Sequence, residues 1–315
     1  MRTSADVSCR VPHEFITAMP ELPQILDSLT FDGDVMDAVG RRVSVRTFTG
    51  QDLGESQIEV LQAGLKEVSR VCGASVTAAI VLCGMSTTVT FSIGGDEAEV
   101  TLQADTTNSG LFKPSTYGVI SGAAGYMLLG FDASDRNACF AAGAAAEVFV
   151  LRATEAGIGT CWLGGTFRHA SFAGAFTPAA GQKLNAVIAF GIPAQKKRLI
   201  ERFERWTTGA DTRKPFDELF TADPGCDLTP YTAALQAMRL APSAVNVQPW
   251  RARLTAAGLK FYSTEPSPKF MIDMGIALGH FQLAARAQGL NCRWTAGSGQ
   301  RQDKLTHVAT CKAAF

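Results

Sequence analysis

The 315-residue sequence lacks the short motifs that mark several well-known classes of catalytic and nucleotide-binding site. No Gly-x-Gly-x-x-Gly follows a strand-like segment and opens a helix, and no Gly-Lys-Ser/Thr occurs, which argues against Rossmann and Walker phosphate loops. A Gly-x-Ser-x-Gly elbow is also missing. The cysteines and histidines stand in unpatterned contexts, so a Ser-His-Asp or Cys-His site has little support.

The sequence also lacks cysteines and histidines at the spacing typical of metal ligands. Eight cysteines and four histidines are present, but no Cys-x-x-Cys pair occurs. A zinc site is not expected, because structural zinc needs clustered thiolate and imidazole ligands. We interpret the cysteines as reduced, mostly buried thiols of an intracellular, cytoplasmic protein. Cys161, beside Trp162, is either a reactive thiol or an inert buried one, and the second interpretation is favoured.

Net charge and long apolar runs are also lacking. The 29 basic and 29 acidic residues cancel, and no apolar run is long enough to span a bilayer. Nucleic acid and anionic membranes are therefore not expected as partners. The first twenty or so residues contain Arg2 and Arg10 and few acids. This composition hints at a targeting segment, but a frayed or packed N-terminal arm is the favoured interpretation.

Helical and strand-like segments alternate along the chain. Helices are predicted over 34–43, 56–71, 137–157, 231–240 and 271–289. Strands are predicted over 75–84, 88–95, 119–130 and 184–193, with a hairpin over 250–263. Pro, Gly and Asp crowd together in "TADPGCDLTP", residues 221–230, which indicates a boundary. We therefore divide the chain into an N-terminal arm (1–35), a first half (36–225) and a shorter second half (226–315).

Two gapless alignments indicate that these halves are related. Residues 141–162 align with 273–294 and match two glycines, a phenylalanine, a leucine and a tryptophan. Residues 60–76 align with 234–250 through a shared "LQA". In the second alignment Asn246 faces Cys72 and Gln248 faces Ala74. Only the second half is therefore predicted to keep a polar loop at this place.

Two basic clusters could bind an anion. In "GRRVSVRTFTG", residues 40–50, Arg42, Ser44 and Arg46 are two apart, so an extended chain places them on one side. Two guanidiniums and a hydroxyl suit a phosphate group. Arg213 and Lys214 form the second cluster. Short basic runs are more often solvated surface, so each cluster alone is weak evidence.

Two further segments could contact a ligand. The glycine-rich "AGIGTCWLGGTF", residues 156–167, could bring bare backbone against a flat ligand, or could form only a helix cap and a tight turn. In "RLAPSAVNVQPWR", residues 239–251, Ser243, Asn246 and Gln248 follow the Pro242 that should end a helix. By contrast His280, within an apolar helix, is interpreted as a satisfied core or interface histidine.

Four segments together resemble the FMN-dependent nitroreductases. "RRVSVRTF" is similar to that family's Arg-x-Ser-x-Arg-x-Phe motif, and "APSAVNVQPWR" to its Pro-Ser-x-x-Asn-x-Gln-Pro-Trp loop. "GIGTCWLGG" resembles its flavin-edge loop, and "FGIPAQKK" with "TRKPFDEL" its closing strand and basic tail. The resemblance covers about residues 36–300. It implies the α+β nitroreductase fold, with an antiparallel-type central sheet flanked by helices.

The resemblance also implies how many sites the chain has. Ordinary members are homodimers in which each subunit offers its phosphate motif to one flavin and its Asn–Gln loop to the other. Here the phosphate motif lies in the first half and the loop in the second. The chain therefore resembles a subgroup in which one polypeptide folds as a pseudo-dimer with a single composite site. We expect a monomeric pseudo-dimer or a higher assembly of it.

Three groups of FMN-binding residues follow from this resemblance. Those that hold the phosphate and ribityl chain are Arg42, Ser44, Arg46 and either Arg213 or Lys214. Those that bond the ribityl chain or the ring edge are Ser243, Asn246 and Gln248. Those that lie near the isoalloxazine are Leu163, Gly164, Gly165 and Tyr117, with the Gly164 N–H pointing at flavin N5.

The implied activity is that of an FMN-dependent NAD(P)H oxidoreductase with a ping-pong cycle. Hydride passes through flavin N5 to a nitroaromatic, quinone or similar acceptor. No catalytic side chain is expected, because the chemistry belongs to the cofactor. Two alternatives stay open: a protein that stores or senses FMN without significant turnover, and a relic of the fold that makes protein contacts. Retention of Arg42, Ser44, Arg46, Asn246 and Gln248 argues against the relic.

Overall fold

The structure, a computed structural model, describes residues 21–83, 88–91, 100–103, 114–195, 212–265 and 267–314. Its α-helices in these ranges are α1 (Leu22–Ser28), α2 (Val35–Arg41), α3 (Glu55–Cys72), α4 (Arg136–Glu155), α5 (Phe216–Leu219), α6 (Thr232–Arg239) and α7 (Met271–Ala287). None of the helices in the described ranges combines the length and the apolar character needed to cross a bilayer.

The strands complete an α+β fold, which confirms the predicted class. They are β1 (Val76–Leu82), β2 (Thr88–Phe91), β3 (Val100–Gln103), β4 (Gly125–Phe131), β5 (Gly159–Leu163), β6 (Lys183–Gly191), β7 (Phe220–Ala222), β8 (Trp250–Thr255), β9 (Gly258–Ser263), β10 (Asn291–Ala296), β11 (Arg301–Gln302) and β12 (Leu305–Ala314). Most of the predicted helices and strands lie within one or two residues of these bounds.

The strands form two main sheets, one for each half of the chain. The first has the order β1-β4-β6-β5 and is antiparallel throughout. The second has the order β10-β12-β9-β8-β7, in which only β7 runs parallel to its neighbour β8. Strand β4 is buried along its whole length because the first sheet is covered on both faces.

The two halves share one topology. Read in the opposite direction and without its edge strand β7, the second sheet has the order β8-β9-β12-β10, which repeats β1-β4-β6-β5 of the first. In each half a helix precedes the first strand, and a long helix, α4 or α7, joins the second strand to the third. This common order supports the prediction that the halves are related.

The long helices α4 and α7 pack against each other in a nearly symmetric way. A Cβ added at Gly143 would collide with the Ile272 carbonyl oxygen, and one added at Gly275 would collide with that of Phe140. A shift of 132 residues converts one contact into the other. Both glycines are therefore required by the close approach of the two helices.

The C-termini of α4 and α7 are also built in the same way. The Ile158 N–H donates to the Ala153 carbonyl at 2.8 Å, and the Leu290 N–H donates to that of Ala285 at 2.9 Å. Each bond closes around a left-handed glycine, with φ of 72° at Gly157 and 75° at Gly289. This is a helix ending for which glycine is favoured, so its sequence signal was readable in both halves.

One predicted strand boundary differs clearly from the structure. The strand predicted from residue 119 begins only at Gly125, because Ser121 is bonded to the segment that contains Arg46 and Phe48. Helix α1, within the predicted arm, buries Ile25 and Leu26 in the core.

Strand β7, before the predicted boundary at 225, pairs with β8 of the second sheet. Much of the charged segment around 196–211 lies outside the described residues.

Candidate functional site

A cavity of about 890 Å³ lies between the two halves. The first half contributes the chain after α2 and the ends of β4, β5 and β6, and the second contributes the loop after α6 and the start of α7. Nine predicted site residues line it: Arg42, Ser44, Arg46, Leu163, Gly164, Gly165, Arg213, Ser243 and Asn246. Its volume lies in the range of small-molecule and cofactor sites.

The segment that contains Arg42, Ser44 and Arg46 is extended and runs beside β5. Ser44 forms a parallel bridge with Thr160, and the Val45 N–H donates to the Thr160 carbonyl at 2.8 Å. This extended backbone brings Arg42, Ser44 and Arg46 to the same cavity, as the spacing predicted. Arg42 is buried.

The end of β5 forms an open stretch of backbone. Gly164 and Gly165 follow Leu163 and are exposed, and a Cβ added at either would meet no protein atom within 4 Å. Protein crowding therefore does not require glycine here. Bare backbone on a cavity wall permits the close approach of a flat ligand.

The polar loop of the second half, residues 243–248, has an unusual backbone. Val245, Asn246 and Gln248 have φ of 43°, 57° and 50°. Left-handed conformations in residues other than glycine cost on the order of 1 kcal/mol each and cluster at functional sites. The loop is held by the Gln248 N–H, which donates to Ser243 Oγ at 2.9 Å, and by the Asn246 N–H, which donates to the Ser243 carbonyl at 3.0 Å.

The loop is joined to the second basic cluster. Arg213 donates to Asn246 Oδ1 at 3.2 Å, and the Lys214 N–H donates to Gln248 Oε1 at 2.9 Å. Asn246 and Arg213 line the cavity, whereas Lys214 and the buried Gln248 lie behind the wall and brace it. Convergence of the two basic clusters, which spacing alone could not establish, is thus a feature of the fold.

Tyr117 is the other predicted residue that does not reach the cavity wall. It is 66% exposed and lies in a left-handed turn closed by a bond from the Val119 N–H to the Thr116 carbonyl. Val119, two residues later, lines the cavity instead. The turn directs the tyrosine outward, and this backbone reversal was not readable from "STYGVISG".

A buried polar network behind the cavity wall was missed. Glu147, in the middle of α4, accepts from Trp162 Nε1 at 2.7 Å through Oε2. Its Oε1 lies 2.9 Å from His280 Nε2 and 3.8 Å from Arg42 Nε. His280 is fully buried and bonded, as predicted. The sequence did contain a signal for this network, a single carboxylate within the apolar run "AAGAAAEVFV". Because a buried charge without a partner is too costly to retain, such a glutamate predicts buried partners.

Asp273, in the first turn of α7, was also missed. Its carboxylate lines the cavity and accepts from the Ala244 N–H at 3.2 Å. Burial raises the pKa of Asp273 to about 7, and the bond from Ala244 opposes that rise. Asp273 therefore anchors the polar loop with a carboxyl group that titrates near neutrality.

Several cysteines of the described ranges have the character of inert, buried thiols. Those in the described ranges are free thiols, and Cys161 is buried. Burial raises the pKa of Cys83 and of Cys139 to about 12 in each case. Across the described ranges no group of three or more potential metal-ligating side chains occurs.

Comparisons with known proteins agree with the motifs. A family model described as "Putative TM nitroreductase" matches residues 95–285, which is more than half of the chain. Among solved structures, a nitroreductase from Thermotoga maritima MSB8 is 19% identical, with 90% of this chain and 95% of that chain covered and a TM-score of 0.47. A comparison with curated proteins finds no match.

Two further solved structures contain FMN. A nitroreductase from Desulfovibrio desulfuricans in complex with FMN is 22% identical and covers 55% of this chain and 96% of its own, with a TM-score of 0.33. One from Desulfitobacterium hafniense DCB-2 with bound FMN is 14% identical, with coverages of 53% and 93% and a TM-score of 0.35. All three TM-scores are below 0.5, so the assignment of a family rests on the sequence match.

Proposed function

Because the chain belongs to the nitroreductase family whose model matches residues 95–285, we propose that it is an FMN-dependent NAD(P)H oxidoreductase. The observation that carries this proposal is the cavity between the halves. It combines fixed cations, bare glycine backbone and amide groups, and each of these matches a different part of FMN.

The lining residues fit FMN group by group. Arg42, Arg46 and Arg213 supply guanidiniums suited to a phosphate dianion. The open backbone at Gly164 and Gly165 would lie against the isoalloxazine ring, with the Gly164 N–H as a donor to N5. Ser243 and Asn246 would bond the ribityl chain or the ring edge, held in place by Gln248 and Lys214.

The side chains bind and orient, and the cofactor supplies the chemistry. Bound FMN would supply hydride transfer at N5 between NAD(P)H and the acceptor, in a ping-pong cycle. The protein itself would shield one face of the cofactor from water and would line the entrance of the cavity with apolar side chains. Val43 and Val245 line the cavity and are 50% and 74% exposed. Such a mouth suits flat apolar acceptors such as nitroaromatics and quinones.

We further propose that the two halves form a pseudo-dimer with this single composite site. The shared topology, the symmetric contact between α4 and α7, and a cavity lined from both halves support this. The boundary between the halves is then best placed before α5, because β7 joins the second sheet.

The test is the visible absorption spectrum of the purified protein before and after anaerobic addition of NADH or NADPH. We expect a yellow protein that bleaches with at least one of the two and then reduces a quinone or nitroaromatic. A yellow protein that neither nucleotide reduces would contradict the oxidoreductase and favour storage or sensing of FMN. A protein that does not bind FMN would contradict both.

A further inference from the structure

Asp273 is a buried carboxyl group on the cavity wall that the proposed chemistry does not yet use. The residue is 5% exposed, and its neighbours Phe270, Ile272 and Ile276 also line the cavity. Within the described ranges the Ala244 N–H is the one donor bonded to it, at 3.2 Å from each oxygen. A carboxyl group can form several hydrogen bonds. Asp273 therefore keeps the capacity to bond a ligand in the cavity.

Helix packing does not require a carboxyl group at this place. Under the shift of 132 residues that relates α4 to α7, the counterpart of Asp273 is the buried Ala141. Burial of an acidic side chain is unfavourable unless its hydrogen bonds compensate, and a single shared N–H compensates only in part. An acid in such a position on a cavity wall points to a role toward the ligand.

The pKa of Asp273 suits a group that gives and recovers a proton. Burial raises this pKa to about 7, and the bond from Ala244 opposes the rise. The carboxyl group is therefore partly protonated at neutral pH. A general acid works best when its pKa lies close to the pH at which the protein operates.

The other ionisable side chains around Asp273 are of different kinds. In the described ranges those on the cavity lining are Arg42, Arg46, Cys161, Arg213 and Lys269. Behind the lining, Arg136 of α4 donates to Met271 Sδ at 3.3 Å, and Glu147 of α4 contacts His280. Asp273 is thus the one carboxyl group among the lining residues that the structure describes.

Asp273 and the open glycine backbone lie on different walls of the cavity. Gly164 and Gly165 belong to the wall of the first half, whereas Asp273 belongs to the wall of the second. In the proposed function the isoalloxazine ring lies against these glycines. An acceptor that stacks on the free face of the ring would then face the second half, where Asp273 lies.

We propose that Asp273 is a catalytic residue that gives the acceptor its proton. This rests on the proposed function, which supplies the hydride. A quinone that has gained a hydride is a hydroquinone anion. The O–H bond of the Asp273 carboxyl breaks and leaves its electron pair on the carboxylate, and the proton forms the second O–H bond of the hydroquinone. Solvent then protonates the carboxylate again, so each quinone consumes one NAD(P)H and one proton.

The test compares Asp273→Asn with the wild type in the oxidation of FMN-loaded protein that a stoichiometric amount of dithionite has reduced. Asparagine can still accept the Ala244 N–H but cannot release a proton. The acceptors are a benzoquinone, which needs a proton, and ferricyanide, which takes single electrons without one. In stopped-flow measurements the ratio of the benzoquinone rate to the ferricyanide rate should fall about a hundredfold in the variant.

The pH profile separates an acid from a mere anchor of the polar loop. In the wild type the benzoquinone rate should decline as the pH rises through about 7, because the protonated form of Asp273 disappears. Asp273→Asn should lack this decline. An equal rate ratio in the two proteins, or a decline that both share, would overturn the proposal.

A second readout needs neither flavin nor turnover. In ¹³C NMR of flavin-free protein labelled at the aspartate carboxyl carbon, the signal that Asp273→Asn lacks should titrate near neutral pH. A signal that titrates near pH 4, as for an ordinary aspartate, would overturn the proposal even if quinones are reduced. If neither acceptor oxidises the reduced protein while the NMR signal titrates near neutral pH, the proposed function fails and this proposal fails with it.

Discussion

The loops that follow α3 and α6 occupy the same place in the two halves but are built differently. After α3 the chain makes a short turn, in which the buried Ser75 hydroxyl donates to the Cys72 carbonyl at 2.6 Å. After α6 three residues other than glycine adopt left-handed backbone, and two of them, Val245 and Asn246, line the cavity. Of these two loops, only the one that faces the cavity holds residues other than glycine in left-handed backbone.

The loops that follow β5 and β10 differ in the same sense. The shift of 132 residues that relates α4 to α7 also relates Gly165 to Gly297. A Cβ at Gly165 would meet open space, whereas one at Gly297 would collide with the His307 carbonyl oxygen. One glycine thus leaves room for a ligand and its counterpart serves strand packing. Under the proposed pseudo-dimer, both halves keep the fold and only the first of these two loops faces the cavity.

The largest expected effect comes from Glu147, whose counterpart under the same shift is Gly279. Glu147→Ala would remove the buried carboxylate that contacts His280, Trp162 and Arg42. We expect a loss of roughly 3–5 kcal/mol in the free energy of unfolding, measured by urea denaturation. Glu59→Ala, an exposed glutamate on α3, is the control and should change little. Equal stability of the two variants would show that the network does not join the halves.

A pH effect is expected from Asp273, whose counterpart is Ala141. Since burial raises the pKa of Asp273 to about 7, the folded state holds a proton that the unfolded state releases from about pH 4 upward. Its contribution to stability is therefore full at low pH and falls as the pH rises to about 7, by at most roughly 1.4 kcal/mol per pH unit. Asp273→Asn should remove this decline.

The measurement is urea unfolding of the wild type and of Asp273→Asn between about pH 4 and 7, the range set by the two pKa values. The asparagine can still accept the Ala244 N–H, so the loop keeps its anchor. A difference between the two proteins that does not depend on pH would contradict the assignment.

Substitutions at Gly165 and Gly297 should have opposite effects on stability and on FMN binding. Gly297→Ala should lower the free energy of unfolding by about 1–3 kcal/mol, because its Cβ must displace backbone, and it should leave FMN affinity unchanged. Gly165→Ala should do the reverse, with stability within about 0.5 kcal/mol of the wild type and weaker FMN binding. Loss of FMN binding in both variants, or in neither, would remove the distinction between the two loops.

The smallest expected effect concerns Asn246. Asn246→Gly removes the amide but permits the left-handed backbone, so the loop should keep its shape. FMN affinity, measured by fluorescence titration, should fall about tenfold, as for the loss of one buried hydrogen bond. Ala74→Gly in the counterpart loop is the matched control and should bind FMN like the wild type. Equal affinities in both variants would argue against a role for Asn246.

Much of this architecture was readable because it depends on local patterns. The apolar periodicity of α3, the C-terminal glycines at 157 and 289, and the alternate spacing of Arg42, Ser44 and Arg46 each follow from one short stretch of chain. The similarity of α4 and α7 was visible because their close packing needs glycine at matching positions, Gly143 and Gly275.

What could not be read depends on contacts between distant segments. Glu147 meets His280 across 133 residues of sequence, and Lys214 meets Gln248 across 34. Nothing local distinguishes a glutamine that faces a ligand from one that braces a neighbouring loop. The outward turn at Tyr117 was missed for a related reason, since its left-handed backbone is imposed by the surrounding fold.

The central claim, a single composite site between two related halves, is tested most directly by native mass spectrometry of the FMN-loaded protein. This measurement counts chains and flavins in the same ion. We predict one FMN for each chain, whether the chain is alone or part of a larger assembly. Two FMN molecules for each chain, or none, would contradict the claim.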